Sequence, residues 1–573
     1  MKRSLVLFVT SLLLVAFILS ACAQATTPAQ PTPTQPAVTT PAPTQPAVTT
    51  PSPTQPGATT PTPTRPVASP SPSPSPSPTA VTPKKGGTYT WQHNGGMTDI
   101  NPAASGGTLI NRNLLPCLEA LVRLDEKGQL KGHLAESWEV SPDGLTLTFK
   151  LRPGIKFHDG TAFNAQAVKF NLEEAFKKGI SGSAFLASVK SYDVIDDLTL
   201  RLNLSRFDFR VLFSLVGTNG VGLIASPTAL QKPATPENRA QLHMVGTGPF
   251  IFDSWRRDDF VKYTRNPNYW QPGLPYLDAI VIRNVADTTV SIMAFQAGNA
   301  NLVENIVPDD VVMLSAKGYN ITFAGLRFYH HFYPSGGNPA SQFADRRVRE
   351  ALIYAINKPQ LINAIAGGIA GGHMPVDVFS VPGVPWHIDV KPREYNVQKA
   401  KDLLREAGYP SGFKTTLFTD VRLSPRIWAE VLQTSFREVG IIANIEMLDV
   451  PRFTDLSRTG WNGILMPGFP FAGSMTSLVG SLSLKAPDRI SQFRPPGWDE
   501  LFDRIFSVTD ENERLRLLKQ ANQIIYDEAN IIPYRSNSPP KVDDGTVRDP
   551  KYMIHFGGAV DVWWPEIFWL DKK

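Results

Sequence analysis

The sequence predicts an α/β protein, and three observations support that fold class. From Asp345 to Met447, amphipathic helices alternate with strand patterns, which is typical of a lobe with a partly parallel sheet. From Leu145 to Leu151, apolar and polar side chains alternate, as in a strand with one buried face. About 490 residues follow position 83, which is enough for two or three domains.

The first residues carry the pattern of a secretory signal peptide. Lys2 and Arg3 form a basic start, and residues 4–19 are uncharged and mostly apolar, a run too short for a comfortable membrane span. The run ends in Leu-Ser-Ala-Cys, which resembles the lipobox of bacterial lipoproteins. We therefore predict a lipoprotein signal peptide over 1–22 and a lipid on Cys22. The alternative is an ordinary signal peptide with a chance cysteine.

Residues 23–83 form a segment of low complexity. They are mostly Pro, Thr, Ala, Gln, Ser and Val, with Arg65 as their single charge, and a ten-residue unit repeats within them. Such a composition cannot bury a core and favours extended polyproline II structure. We predict a disordered linker that acts as a semi-stiff stalk; an unstructured spacer of no specific length is the alternative.

Charge and cysteine content exclude several classes of function. The formal net charge is +5 over 573 residues, which favours neither nucleic acid nor an anionic membrane surface as a partner. The chain has 2 cysteines. With Cys22 lipidated, Cys117 has no disulfide partner and is expected to be a small core residue. Beyond the signal segment, no second apolar run is long enough to span a bilayer.

Four helices are predicted from the residues that would cap their N-termini. Asn164 precedes a helix with Val168, Leu172 and Phe176 on one stripe. The same logic, a short polar side chain followed by apolar residues at helical spacing, applies at three later positions. These caps are Asp345, Asn396 and Ser424.

The stretch 135–160 carries the most specific pattern of the chain. It reads Ala-Glu-Ser-Trp-Glu-Val-Ser-Pro-Asp-Gly-Leu-Thr-Leu-Thr-Phe-Lys-Leu-Arg-Pro-Gly-Ile-Lys-Phe-His-Asp-Gly. Pro-Asp-Gly before the strand and Arg-Pro-Gly after it are turn sequences, so the residues alone predict a hairpin that leads into the helix at Asn164. The stretch also closely resembles the signature of the extracytoplasmic solute-binding proteins of the peptide/nickel ABC-importer class, family 5.

Further segments resemble the same family, and together they cover nearly everything from about residue 86 to 573. Each is short and would mean little alone; Gly-Thr-Gly-Pro-Phe, for example, would be only a tight turn before a strand. The segments are Glu-Ala-Leu-Val-Arg-Leu-Asp at 119–125, Gly-Thr-Gly-Pro-Phe at 246–250, Asn-Pro-Asn-Tyr-Trp at 266–270, the helices at 345–358 and 396–409, the strand at 531–534 and the aromatic run at 563–569.

The resemblance implies a two-lobed, type II periplasmic-binding-protein-like fold, with a hinge and an extra small domain inserted in the first lobe. The ligand would lie between the lobes and shift them towards a closed form. By the order of the motifs, the first lobe takes residues 84–130, 240–321 and 536–573. The inserted domain takes 131–239 and the second lobe 322–535, with the chain crossing between lobes near Thr322 and Tyr534-Arg535.

Ligand-binding residues are less well marked. Peptide binders of the family hold the ligand amine with an Asp after Gly-Trp, but the matching place here, 468–473, has no carboxylate. This departure counts against ordinary peptides and leaves room for an oligosaccharide or similar ligand on aromatic walls. The aromatic candidates could equally be core residues. The candidate ligand-binding residues are Trp91, Asn94, Tyr329, His330, Arg422, Trp461, Phe469 and Phe471.

No sequence motif supports an enzymatic function or a bound cofactor. The chain has no His-Glu-x-x-His, no Gly-x-Ser-x-Gly, no paired Cys-x-x-Cys and no phosphate-binding loop, and His158-Asp159 lies in a turn of the family signature. Adjacent His330 and His331 on a strand would point to opposite faces, which argues against a metal site. We predict a monomeric receptor without cofactor that hands its solute to importer permeases; a surface sensor not coupled to transport is the alternative.

Overall fold

The computed structural model describes residues 82–93, 100, 113–125, 130–180, 183–217, 221–304, 306–323, 328–366, 372–421, 426–467, 471–472, 479, 482, 489–548 and 563–571. These residues all belong to one compact unit, Ala80–Lys573. The predicted signal segment, Cys22 and the linker up to residue 81 lie outside the described residues.

The strands of the described residues are β1 (Thr88–His93), β2 (Glu119–Ala120), β3 (Val122–Leu124), β4 (Leu130–Gly132), β5 (Ala135–Val140), β6 (Thr146–Leu151), β7 (Val189–Asp196), β8 (Thr199–Leu204), β9 (Leu223–Ile224), β10 (Phe250–Arg256), β11 (Phe260–Arg265), β12 (Ala279–Asn284), β13 (Leu302–Glu304), β14 (Asn320–Phe323), β15 (Phe328–Pro334), β16 (His373–Pro375), β17 (Phe413–Asp420), β18 (Ile441–Leu448), β19 (Ile464–Met466), β20 (Phe471–Ala472), β21 (Ile532–Asn537), β22 (Pro540–Asp543), β23 (Val547–Arg548) and β24 (Trp569–Leu570).

The α-helices of the described residues are α1 (Ala165–Lys177), α2 (Arg210–Ser214), α3 (Pro227–Leu230), α4 (Arg239–His243), α5 (Thr288–Gln296), α6 (Pro308–Ala316), α7 (Arg346–Tyr354), α8 (Lys358–Ala366), α9 (Val397–Glu406), α10 (Arg426–Glu438), α11 (Val450–Thr459), α12 (Trp498–Ser507) and α13 (Glu511–Glu528). In the described part of the chain, none of these helices is long and apolar enough to cross a membrane.

Two large mixed sheets dominate the fold. The first sheet has the strand order β10-β11-β12-β1-β13-β22-β14, with β1 parallel to both β12 and β13. The second sheet has the order β16-β21-β15-β19-β17-β18, with β20 added on β15, and its strands β17, β18 and β19 are parallel. Helices alternate with strands in the second sheet, and their apolar faces bury its core, as the periodicity predicted.

The predicted hairpin forms part of a smaller antiparallel sheet of order β5-β6-β8-β7. Its inward residues alternate along β6, where Leu147, Phe149 and Leu151 are buried, and helix α1 adds Val168 and Leu172 to the same core. Phe176 was expected on that stripe, but the structure leaves it 50% exposed. It lies in the last turn of α1, where the neighbouring Ala175 is the residue buried in the core.

Three of the four predicted helix caps are confirmed. The side chain of Asn164 accepts a hydrogen bond from the Ala167 amide, and that of Asn396 accepts one from the Lys399 amide. Asp345 caps α7 in the same way. Each satisfies a backbone donor that has no partner inside its helix. The fourth predicted cap, Ser424, lies outside the described residues.

Candidate functional site

The chain passes between the two large sheets at two neighbouring places. Strand β14 ends at Phe323 and β15 begins at Phe328, while β21 ends at Asn537 and β22 begins at Pro540. Phe323 pairs with Pro540 in the first sheet, and Phe328 pairs with Asn537 in the second. The strand ends that flank the two connections therefore lie side by side, an arrangement that suits a hinge made of a few residues at strand ends.

The carboxyl ends of several strands of the first sheet border this junction. The parallel strands β1, β12 and β13 end at His93, Asn284 and Glu304. Strand β22 is antiparallel to both β13 and β14, so β13 and β14 run in the same direction and end at the same edge. That edge is the one from which the chain leaves the first sheet at Phe323.

The second sheet presents its carboxyl edge to the same junction. Parallel strands β17, β18 and β19 end at Asp420, Leu448 and Met466. Strand β15 is antiparallel to β19, so its first residue, Phe328, lies at the carboxyl end of β19. Ligands of open α/β sheets bind outside the carboxyl ends of the strands. Both sheets therefore offer their ligand-binding edge at the junction.

A polar cluster occupies the junction edge of the second sheet. Arg535 donates hydrogen bonds from Nη2 to His330 Nδ1 at 3.1 Å and from Nη1 to His373 Nδ1 at 3.0 Å. His330 Nε2 lies 2.8 Å from Asn537 Oδ1. The guanidinium stacks on the ring of Trp428, 3.8 Å from its centroid. We call these five side chains the junction cluster.

A β-bulge explains why these side chains meet. His330 pairs with Arg535, but His331 pairs with Pro533, so Tyr534 is an extra residue on β21. The bulge interrupts the alternation of faces, and both Tyr534 and Arg535 therefore contact the Trp428 ring on helix α10. His330, His373 and Asn537 are half-buried, whereas Arg535 beneath them is 4% exposed.

Burial keeps His330 neutral. Desolvation, together with the charge of Arg535, lowers the pKa of His330 well below its usual value of 6.5. A neutral imidazole can accept the Arg535 hydrogen bond at Nδ1 while it donates from Nε2 to Asn537. Burial also lowers the pKa of Arg535, so the cluster carries its single positive charge in a desolvated place.

The first sheet contributes a buried ion pair and aromatic packing at its edge. Lys541 Nζ lies 3.8 Å from Glu304 Oε2, and Lys541 also lies 6.0 Å from the centroid of the Trp91 ring. Trp91 packs edge-on against Trp563 with ring centroids 5.8 Å apart. This side of the junction therefore pairs its charges within the protein.

The structure brings only part of the predicted ligand-binding set into contact with the junction cluster. His330 belongs to it, and His331 points to the opposite face, where it contacts Tyr333 and Phe379. Trp91, Tyr329 and Trp461 are 0%, 1% and 3% exposed and pack in the core. Their role in ligand binding stays a prediction.

The remaining predicted residues are less fully described. Phe471 pairs through its backbone with Tyr329 on β15. Asn94, Arg422 and Phe469 lie outside the described residues, and their role in ligand binding stays a prediction.

Sequence reasoning missed four members of the cluster: Arg535, His373, Trp428 and Asn537. One signal was present, since Arg535 is a charged residue that directly follows the apolar part of a strand, Ile531 to Tyr534. A charged residue inside a buried strand needs a partner and so marks a site. His373 and Trp428 carried no such signal, because only the pairing of β16 with β21 and the packing of α10 bring them there.

A separate cavity of about 600 Å³ lies on the opposite face of the second sheet, beyond Met374. Its lining is mainly apolar, and its buried Lys358 is held by Asp377 Oδ1 at 2.6 Å. His387 lies between Ser380 and the fully exposed Asp389. All residues that line this cavity fall within 356–395, whereas both large sheets border the junction, so the junction is the better candidate for the ligand site.

Comparisons with known proteins agree with this geometry. Residues 129–481 match the family described as bacterial extracellular solute-binding proteins, family 5 middle. The glutathione-binding protein GsiB of Shigella flexneri is 33% identical over 454 residues, which cover 76% of this chain and 86% of that protein.

Solved structures show the same architecture. HbpA2 from Haemophilus parasuis matches with a TM-score of 0.73 at 22% identity, over 85% of this chain and all of that one. The periplasmic binding protein DppA from Helicobacter pylori, in complex with the peptide STSA, matches with a TM-score of 0.66 at 24% identity, over 85% and 99%. The predicted two-lobed α/β fold is thereby confirmed. The protein is a solute-binding protein and not an enzyme, and the chain belongs to bacterial extracellular solute-binding protein family 5.

Proposed function

We propose that this chain is a lipid-anchored receptor that captures a small solute at the junction of its two large sheets and delivers it to an ABC importer. The observation that carries the proposal is the meeting of two carboxyl edges at paired crossovers, with the half-buried polar side chains of the junction cluster beside them. Strand ends supply fixed polar groups, and the crossovers supply the hinge.

Ligand capture would work through closure of the two lobes. A ligand that contacts both edges binds the closed form better than the open form, and it shifts the population by that difference in affinity. The proposed division takes 84–130, 240–321 and 536–573 as the first lobe, 131–239 as the inserted domain and 322–535 as the second lobe. Sheet membership supports it except at the crossovers, because β14 carries residues 322–323 in the first sheet and β21 carries residues 536–537 in the second. The closed surface would then be the one that the permeases recognise.

A small peptide is the first ligand to test. Glutathione is the ligand named for relatives that are 33% identical to this chain. The missing carboxylate at 468–473 weighs against ordinary peptides, which need a partner for a free amine. An oligosaccharide is the neutral alternative, and it would use aromatic side chains at the junction.

The decisive experiment is native mass spectrometry of the protein purified from its own host, followed by calorimetric titration with the ligand found and with glutathione. We expect one bound small solute per chain and a rise in unfolding temperature on adding it. Deletion of the gene should reduce uptake of that solute. Binding without any change in uptake would contradict delivery to an importer and favour a sensor.

The lipid anchor can be tested separately. Cys22→Ala should release the protein from the membrane fraction, because lipidation needs that thiol. Cys117→Ala serves as the matched control and should leave the protein in the membrane fraction. Retention of the Cys22→Ala protein in membranes would contradict the anchor.

A further inference from the structure

Arg535 carries a buried positive charge without a matching carboxylate. Six lysines and arginines of the described residues are buried: Arg349, Lys358, Lys541, Arg393, Arg514 and Arg535. The first three each have a carboxylate oxygen within 4.0 Å. Of the three that have none among the described residues, Arg535 is the one that belongs to the junction cluster. Among the described residues no carboxylate lies that close to Arg535, whose partners are two imidazoles and the faces of two aromatic rings.

A buried charge of this kind is unfavourable unless a counter-ion is supplied. Desolvation of an ion is expensive, and neutral hydrogen-bond partners recover only part of it. The guanidinium also has hydrogen-bonding capacity left. It offers five N–H groups, two of which bind the histidines, and its Nε is buried without a partner among the described residues.

The neighbours of Arg535 are uncharged and do not neutralise its positive charge. His330 and His373 accept hydrogen bonds at Nδ1, which leaves Nε2 of each ring as the protonated nitrogen, and Trp428 offers a ring face that favours a cation. His330, His373 and Asn537 are half-buried and so more accessible than the guanidinium of Arg535, which is 4% exposed.

We propose that Arg535 anchors an anionic group of the solute, a carboxylate or a chemically similar oxyanion, with Asn537 as a neighbouring donor. The inference rests on the proposed receptor function and narrows its ligand to a class. Arg535 is the one cation of the junction cluster, so one singly charged group on the solute matches it. A neutral oligosaccharide would leave the charge of Arg535 uncompensated.

The first test needs no ligand. Arg535→Met keeps an unbranched apolar side chain in place of the arginine stem and removes the charge, so the unfolding temperature of the ligand-free protein should stay the same or rise. Arg349→Met is the matched control; it removes a buried guanidinium that is bound to Glu528 and to backbone carbonyls, so the unfolding temperature should fall clearly. An equal fall in both variants would show that Arg535 is structural and would overturn the proposal.

The second test uses calorimetric titration with glutathione and with glutathione whose two carboxyl groups are amidated. Wild-type protein should bind the amidated form about 100-fold or more weakly, and Arg535→Met should lose a similar factor for glutathione. The variant should discriminate little between the two forms, and Arg535→Lys should recover part of the affinity. Equal binding of both forms by wild-type protein would overturn the proposal.

The two proposals fail in different ways. If the solute found by native mass spectrometry is neutral and binds tightly, the anionic class is wrong while the receptor function stands. If it is an anion other than glutathione, the same comparison is made with that anion and its amide. If deletion of the gene leaves uptake unchanged, delivery to an importer is wrong, and the unfolding test on Arg535→Met still decides whether the charge is structural.

Discussion

Glu119→Gln is expected to be one of the most destabilising conservative changes in this protein. Glu119 is buried on strand β2 and accepts four hydrogen bonds. His133 Nε2 and the Tyr269 hydroxyl bind Oε1 at 2.8 and 2.7 Å, while the Thr247 hydroxyl and Trp270 Nε1 bind Oε2 at 2.7 and 3.0 Å. Three of the segments that resemble the family, 119–125, 246–250 and 266–270, therefore meet at one carboxylate.

Thr247 is held in this network because the backbone on both sides of it packs closely against the backbone at Cys117. A Cβ atom on Gly246 would lie 2.0 Å from the carbonyl oxygen of Cys117, and one on Gly248 would lie 2.7 Å from the same oxygen. The Gly248 amide also donates to that oxygen at 3.0 Å. The two glycines are thus required by packing against the chain at Cys117, and Thr247 between them is aimed at Glu119.

The magnitude follows from the donors on each oxygen. Each oxygen of Glu119 binds one hydroxyl, which can rotate. Oε2 also binds the indole N–H of Trp270, which is always a donor, and Oε1 also binds the imidazole of His133, whose proton can move to Nδ1. A glutamine nitrogen in place of Oε2 would face the Trp270 donor, at about 1–3 kcal/mol, whereas in place of Oε1 it would need the other tautomer of His133; in both cases the bonds lose their charge assistance. We expect a loss of about 2–4 kcal/mol in the free energy of unfolding.

Urea unfolding followed by tryptophan fluorescence measures this loss. Glu173→Gln is the control, because Glu173 is exposed and its lysine partner lies 3.8 Å away, so its change should stay within about 0.5 kcal/mol. Burial alone would raise the pKa of Glu119, but the charge interaction and hydrogen bond with His133, together with the hydrogen bonds from Thr247 and Tyr269, leave the pKa below the usual 4.5.

The pH dependence of the free energy of unfolding is a second test of the role of Glu119. A depressed carboxyl pKa contributes stability that is present above about pH 4.5 and is lost as the pH falls through the folded-state pKa. The difference between wild type and Glu119→Gln should therefore be constant above pH 5.5 and shrink in acid. A loss below about 1.5 kcal/mol at neutral pH would refute the reasoning.

Three further predictions concern buried groups. Burial and the charge of Arg489 lower the pKa of His331 to about 3, so between pH 8 and pH 5 His331 becomes protonated in the unfolded state but not in the folded state. The free energy of unfolding should therefore fall by about 2 kcal/mol over this pH range. Urea titrations of His331→Gln should not show that fall. Lys358→Met should cost about 3 kcal/mol, because it leaves Asp377 without its cation, and Lys358→Met combined with Asp377→Leu should recover part of the loss. Burial raises the pKa of the Cys117 thiol to about 12. In a protein that begins at Lys84, and so lacks Cys22, a thiol reagent at pH 8 should label Cys117 only after unfolding. Rapid labelling of the native protein would contradict this.

Local features of the fold were predictable because their causes are local. Asn164, Asp345 and Asn396 cap helices through hydrogen bonds to amides two or three residues away, and neighbouring residues in the chain suffice for that. The hairpin from Ala135 to Leu151 likewise follows from turn residues and a two-residue period. The prediction that Phe176 is buried was wrong, because helical spacing alone does not show which residue of the last turn faces the core; there Ala175 is buried instead.

The sequence by itself determined the family, the α/β class, the helix starts and the hairpin, since these depend on local spacing and on long matched motifs. Only the tertiary structure decided which polar residues meet at the junction of the sheets. His330, His373, Trp428 and Arg535 come from four separate elements, and a one-residue bulge on β21 turns the guanidinium towards the tryptophan. Whether a buried charge has a counter-ion depends on all chain segments that pack around it, and that is a property of the assembled fold.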